Sequence, residues 1–236
     1  MIANHYQKDH FMKRGGAMDL KGFYNMDCME GMKQIPDKYF ELAIVDPPYG
    51  IKRFEKPSGT TRFKNSKLMQ ESGLTWDIKP TQEYFDELFR ISKNQIIWGA
   101  NNFNLPASEY FAIWDKQQTV NNFSSAEYAW VSPTLKQPAL VFRFSVHKNN
   151  AIGDKIHPTQ KPVALYKWLL KNYAKEGDKI LDTHVGSASS LIACYDMGFE
   201  YLGFELDKDY YDLATKRLEK HMSQMNLFLD FENILV

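Results

Sequence analysis

The sequence predicts an α/β fold, with a mostly parallel central sheet and helices on both faces. Two strand–helix–strand units and the lack of any internal repeat carry that reading. In the first, "GFYNM" (22–26) is a strand, Met29, Met32 and Ile35 fall at helical spacing, and "FELAIV" (40–45) is the next strand. Strand, helix and strand within about 25 residues make a parallel β-α-β unit. The second unit, residues 178–207, runs strand, small-residue turn, helix, strand.

Taken in order, the elements follow from local chemistry. Asp27 precedes the first helix, and Pro36-Asp37 closes it. Residues 51–80 hold Gly, Pro, Ser, Thr and Lys without apolar periodicity, and a loop this long in a compact domain is usually functional or disordered. A mobile loop is expected there. Thr81 is a candidate N-cap for a helix over 80–93, whose Tyr84, Leu88 and Ile91 share one face. Strands are expected over 95–99 and 109–116, followed by a strand pair, 126–132 and 139–146, around "PTLKQP". A helix begins at Pro162, a strand covers 179–182, a helix 187–197, a strand 201–205 and a last helix 208–222.

Composition narrows the class. At 236 residues the chain fits one good-sized domain with a small insertion. Residues 1–17 are polar and end in Gly15-Gly16, so they read as a flexible arm before a domain of 18–222, with 223–236 as a tail. No apolar run approaches the roughly 18 residues of a membrane span, and the start lacks the apolar core of an export signal. A cytoplasmic protein is the expectation. Cys28 and Cys194 are too few for a disulfide framework or a zinc site, and no metal is expected. The net charge is zero, which argues against a generic basic DNA binder, but its distribution is uneven. Between Ile51 and Lys67 six bases (Lys52, Arg53, Lys56, Arg62, Lys64, Lys67) face Glu55 alone, a net +5, which suggests a directed contact with a polyanion.

Two stretches carry chemistry. "ELAIVDPPYG" ends a buried strand in a carboxylate, a rigid Pro-Pro step and an aromatic ring. "DKILDTHVGSASSLIACYDMGFEYLGFELD" (178–207) has the logic of a nucleotide-type site: an acid ends one strand, glycine permits close backbone approach, and an acid ends the next strand to hold ribose hydroxyls. Ala188 stands where a second glycine would serve a pyrophosphate, so a nucleoside without phosphates, such as S-adenosylmethionine, fits better. Asp27, Asp46, Asp182 and Glu205 each end an expected strand. In an open α/β sheet those ends form one rim, where ligands bind.

"DPPYG" (46–50), "HPTQKP" (157–162) and "LDTHVGSAS" (181–189), in this order, resemble the motifs of β-class DNA amino-methyltransferases. "NQIIWGANNF", ending at Phe103, and "EYAW" (127–130) resemble the small phage-type members, and the likeness covers about Lys21 to His221. The resemblance implies a Rossmann-like methyltransferase fold in circularly permuted order, with the catalytic half before the cofactor half. It implies methyl transfer from S-adenosylmethionine, leaving S-adenosylhomocysteine, to the amine of a base flipped out of double-stranded DNA. In that scheme Asp46 and the Pro47 carbonyl accept the amine hydrogens, Pro48 stiffens the turn, and Tyr49 stacks on the base. Asp27 and the Cys28 backbone meet the cofactor's adenine, and Glu205 its ribose. Asp182, Gly186 and the turn residues Thr183, His184 and Ser187 flank the methionine part, and Thr159 and Lys161 its carboxylate. Family members usually show Asp-Pro-Phe and Gly-Ser-Gly where this chain has Asp182-Thr183-His184 and Gly186-Ser187-Ala188, so cofactor affinity is in question at His184 and Ala188.

"DPPY" favours adenine N6 as acceptor, with N4 of cytosine as the alternative and a non-catalytic DNA-binding module as a more distant one. The six bases are expected on DNA phosphates, and 118–150 as a small target-recognition insertion. A second copy of the chain is a candidate partner. So is a replication sliding clamp, because "QMNLF" (224–228) resembles clamp ligands through Gln224, Leu227 and Phe228.

Overall fold

The structure, a computed structural model, describes residues 18–50, 78–118, 121, 124–146, 155–157 and 159–234, with side chains to 225. One eight-stranded sheet organises them. Its strands are β1 (Gly22–Asn25), β2 (Phe40–Val45), β3 (Ser92–Trp98), β4 (Phe111–Asp115), β5 (Ala126–Val131), β6 (Leu140–Arg143), β7 (Lys179–Asp182) and β8 (Glu200–Glu205). The helices are α1 (Cys28–Met32), α2 (Gln82–Ile91), α3 (Val163–Tyr173), α4 (Ser189–Met197) and α5 (Lys208–Ile234). The strand order is β1-β8-β7-β2-β3-β5-β4-β6, and every pairing is parallel except the two made by β5. The expected α/β fold with a mostly parallel sheet is therefore present, and so is the permuted order: β7 and β8, late in the chain, sit between β1 and β2.

Alternation along the strands builds two apolar layers. Ile96, Trp98 and Tyr201 pack with Leu165, Leu169 and Leu191 of α3 and α4. Ile97, Leu202 and Phe204 pack with Met32, Phe85 and Leu88 of α1 and α2. Helix α2 buries Tyr84, Phe85, Leu88 and Ile91, the i, i+4, i+7 stripe legible in the sequence.

Three expectations need correction. The strands at 126–131 and 140–143 do not pair with each other. β4 lies between them, parallel to β6 and antiparallel to β5, so both strands expected in the insertion belong to the central sheet. The helix after Asp27 stops at Met32, and Gln34 and Ile35 continue in tighter turns onto Gly31 and Met32. The last helix does not end at 222. It runs to Ile234 through the segment expected as a tail, since no Gly or Pro interrupts residues 208–234.

Candidate active site

Because β1, β8, β7 and β2 are adjacent and parallel, the acids that end them share one rim of the sheet. A cavity of ≈ 640 Å³ opens there, lined by Asp27, Asp46, Thr183, Gly186 and Glu205 among others.

At the β2 end, the Asp46 carboxylate is held at both oxygens. The Tyr49 hydroxyl donates to Oδ1 at 2.6 Å, and the Lys161 ammonium binds Oδ2. Burial and the Asp46 charge keep the Tyr49 phenol well above its ordinary pKa, so it stays a donor. Burial alone would lower the pKa of Lys161, but Asp46 and Glu127 outweigh it and keep the ammonium charged. Glu127 completes the group, 3.0 Å from Lys161 and 2.5 Å from Lys116. The Tyr49 ring lies against Gly99, which has φ +66°. A Cβ there would stand 2.1 Å from the ring.

At the β7 and β8 ends the chain turns on its own acids. Glu205 accepts Gly186 N–H through Oε2 and Asp207 N–H through Oε1, both at 2.9 Å. Asp182 accepts His184 N–H at 3.0 Å and the Ser190 hydroxyl at 2.5 Å. Burial pushes the Asp182 carboxyl up to about 7. Thr183 bridges the Tyr84 hydroxyl (2.6 Å) and His184 Nδ1 (2.9 Å), and burial lowers the His184 pKa to about 4, leaving it neutral. Asp27 caps α1, accepting Met29 N–H at 2.8 Å. Burial and Asp27 push the Cys28 thiol up to about 12, so it keeps its proton at neutral pH.

Of the residues expected at the site, Asp27, Cys28, Asp46, Pro47, Pro48, Tyr49, Thr159, Lys161, Thr183, His184, Gly186, Ser187 and Glu205 all line the cavity. Asp182 does not; it lies 3 % exposed beneath the turn and holds it from inside. Lys161, expected at a cofactor carboxylate, pairs in this structure with Asp46 and Glu127. Ala188 does not crowd the cavity: its methyl is buried in the core and its backbone is left-handed, φ +62°. Lys52, Arg53, Lys56, Arg62, Lys64 and Lys67 lie outside the described residues, as do the side chains of Leu227 and Phe228. Sequence reasoning missed Tyr84, Tyr166 and Tyr210, which line the cavity, Glu127 beside Lys161, and Gly99 against Tyr49. Glu127 belongs to "EYAW", but a carboxylate that begins a strand does not fit a pattern of carboxylates that end them.

A family model described as DNA methylase matches residues 74–216. The chain belongs to that family. It is a DNA amino-methyltransferase of the class that acts on adenine N6 or cytosine N4. The type II methyltransferase M.BglII of Bacillus subtilis is 23 % identical over 91 % of this chain and 73 % of its own length. M.HinfI of Haemophilus influenzae is 22 % identical over 82 % and 67 %. Among solved structures, the M1.HpyAVI–SAM complex superposes with TM-score 0.55 at 17 % identity, covering 83 % of this chain and 98 % of that one. The cytosine-N4-specific PvuII DNA methyltransferase gives 0.56 at 15 % identity, over 88 % and 92 %. These likenesses establish the methyltransferase fold. The held Asp46 carboxylate and the cavity lie at the strand-end rim of that fold. No helix among the described residues is long and apolar enough to cross a membrane, and no group of His, Cys, Asp and Glu among them could hold a metal ion.

Proposed function

We propose that this methyltransferase moves a methyl group from S-adenosylmethionine to N6 of an adenine flipped out of double-stranded DNA. The supporting observation is a single cavity with the fixed Asp46 carboxylate at one end and Glu205 with the turn 183–187 at the other. Its size lies within the roughly 300–1,000 Å³ of small-molecule sites. Both Glu205 oxygens are anchored by backbone N–H groups yet keep lone pairs for ribose hydroxyls. Met26, Met29, Val185 and Leu206 offer apolar surface beside them. Thr183, His184, Gly186 and Ser187 would flank the methionine part, and Asp27 and Cys28 the adenine. When bound, S-adenosylmethionine supplies an electrophilic methyl group on sulfur.

An amine conjugated to a purine ring is a poor nucleophile, because its lone pair is delocalised. Asp46 and the Pro47 carbonyl would each accept one amine hydrogen, drawing the nitrogen toward tetrahedral geometry and freeing the lone pair. A carboxylate has about four acceptor sites, so Asp46 can hold Tyr49, Lys161 and the amine together. Tyr49, on the rigid Pro47-Pro48 step, offers its ring to the base. The extra proton on the methylated nitrogen leaves through Asp46 or water. Positioning and fixed charge supply the catalysis. The net +5 segment 51–67 would meet DNA phosphates.

Adenine is favoured by "DPPY". Mass spectrometry of nucleosides from plasmid DNA of a methylation-deficient host expressing the chain, beside Asp46→Ala, tests the whole reading. N6-methyladenine that disappears in the variant is expected. N4-methylcytosine would keep the mechanism and overturn the base, and neither product from folded protein would overturn the reading.

A further inference from the structure

Glu127 lies at the catalytic rim only because β5 is reversed. Its register partner is Trp114 near the end of β4, and Ala129, two residues on, pairs Trp98 at the end of β3. The start of β5 is thereby brought to the edge where β2 delivers Asp46. Between the two carboxylates stands Lys161, 3 % exposed, bound to Asp46 Oδ2 and 3.0 Å from Glu127 Oε2. The Trp98 ring lies 5.5 Å from the ammonium, and the Tyr49 hydroxyl is 3.5 Å away. Lys116 engages the other Glu127 oxygen at 2.5 Å, so charges alternate along the chain Lys116, Glu127, Lys161, Asp46.

We propose that Glu127 is a positioning residue for methyl transfer: it holds Lys161 from the side away from Asp46, so that the ammonium orients the clamping carboxylate without monopolising it. The inference rests on the role of Asp46 proposed above. A buried ammonium with one carboxylate partner closes on it as a tight pair, because the Trp98 ring and the Tyr49 hydroxyl carry no full charge to oppose that pull. Such a pair would take acceptor capacity from the Asp46 oxygen and turn its plane toward Lys161. A second carboxylate, 3.0 Å across the cation, attracts it from the other side and limits how far it commits to Asp46. The amine then meets a carboxylate already in its working orientation, and misplacement on the order of 1 Å at such a site can cost about 100-fold in rate. The two acids share the work unequally. Asp46 touches the base, and Glu127 acts only through Lys161.

The test is steady-state methyl transfer to duplex DNA, counting N6-methyladenine and N4-methylcytosine together, by wild type, Asp46→Ala, Glu127→Gln and Glu127→Asp. Glu127→Gln should lower kcat about 10- to 100-fold, with KM for S-adenosylmethionine and for DNA within about threefold, since only transition-state alignment is lost. Glu127→Asp, which keeps the charge, should recover most of the rate. A packing role alone would lower the unfolding temperature and leave kcat of the folded enzyme unchanged. Active wild type with a Glu127→Gln kcat within about twofold of it overturns the inference and leaves the proposed function standing. So does a loss confined to KM. If Glu127→Gln does not fold, Lys116→Gln decides: it touches Glu127 and not Asp46, and wild-type kcat in that variant overturns the inference. A wild type that makes neither product while Asp46→Ala is equally silent removes the function itself, and this inference with it.

Discussion

Tyr49 and the Gly99 backbone occupy adjoining space, and the ring position depends on the missing side chain. A Cβ at residue 99 would stand 2.1 Å from the ring, at a φ of +66° that costs an L-residue about 1–2 kcal/mol. Gly99→Ala must therefore push Tyr49 off Asp46, and turnover should fall about 100-fold while the protein still folds. Steady-state kinetics with a circular dichroism check measures this, and wild-type kcat in Gly99→Ala would show that the ring does not need its present seat. Residues at this scale were unevenly legible. Asp46, Asp27 and Glu205 could be found because each ends a strand and strand ends face a ligand rim. Lys161 was found as a residue, but its partners were not, since they come from segments 115 and 34 residues away in the chain. Ala188 departs from the family pattern in a way that is conformational rather than steric: the left-handed turn that glycine enters freely is here entered by alanine.

At the scale of elements, three helices meet on one side chain. Asp196 of α4, 7 % exposed, accepts Lys167 of α3 at 2.6 Å and binds His221 of α5 at 2.6 Å. Burial alone would raise its pKa, but the bonds from Lys167 and His221 outweigh burial and hold it lower. Asp196→Asn keeps the shape and removes the charge. It should cost about 1 kcal/mol at neutral pH, less than a fully buried pair would, because Lys167 is 43 % exposed. Urea unfolding at pH 7 and again near pH 3 checks it: the penalty should shrink as wild-type Asp196 takes up its proton. An unchanged midpoint at pH 7 would mean the three helices are held by packing alone. Where an element's own sequence fixes it, reading succeeded: "FELAIV" gives β2 to the residue and "KILD" gives β7. Where a distant partner decides, it failed. Adjacent strands usually pair, but β4 inserts between β5 and β6, and nothing within 126–143 encodes that.

For the molecule as a whole, burial of acids and histidines in one rim ties stability to pH in two opposite senses. His184 and His157 are lowered by burial to about 4 and about 3, with Lys155 and Lys161 adding to the shift at His157. The unfolded chain takes up those protons near pH 6.5 and the folded one does not. Their contribution is therefore present above about 6.5 and lost as pH falls toward 4. Asp182 runs the other way. Its folded pKa, near 7, lies above the unfolded value of about 3.9, so its contribution is present in acid and lost as pH rises through about 7. Glu205, also raised by burial, acts in the same sense as Asp182, so the total curve mixes several groups. Differences between variants separate them. Relative to wild type, Asp182→Asn should gain stability by about 1.4 kcal/mol per pH unit between pH 4.5 and 6.5, because the cost of deprotonating the buried acid is gone. His184→Phe, carrying the residue type the family usually places there, should also gain on wild type, but as pH falls from about 6.5 to 4.5 and with the same unit slope. Guanidinium unfolding of the three proteins at four pH values gives both difference curves. Opposite slopes would confirm that the same buried turn penalises the ionised acid and the protonated histidine. Parallel, flat curves would mean that the turn opens to water often enough to relieve both.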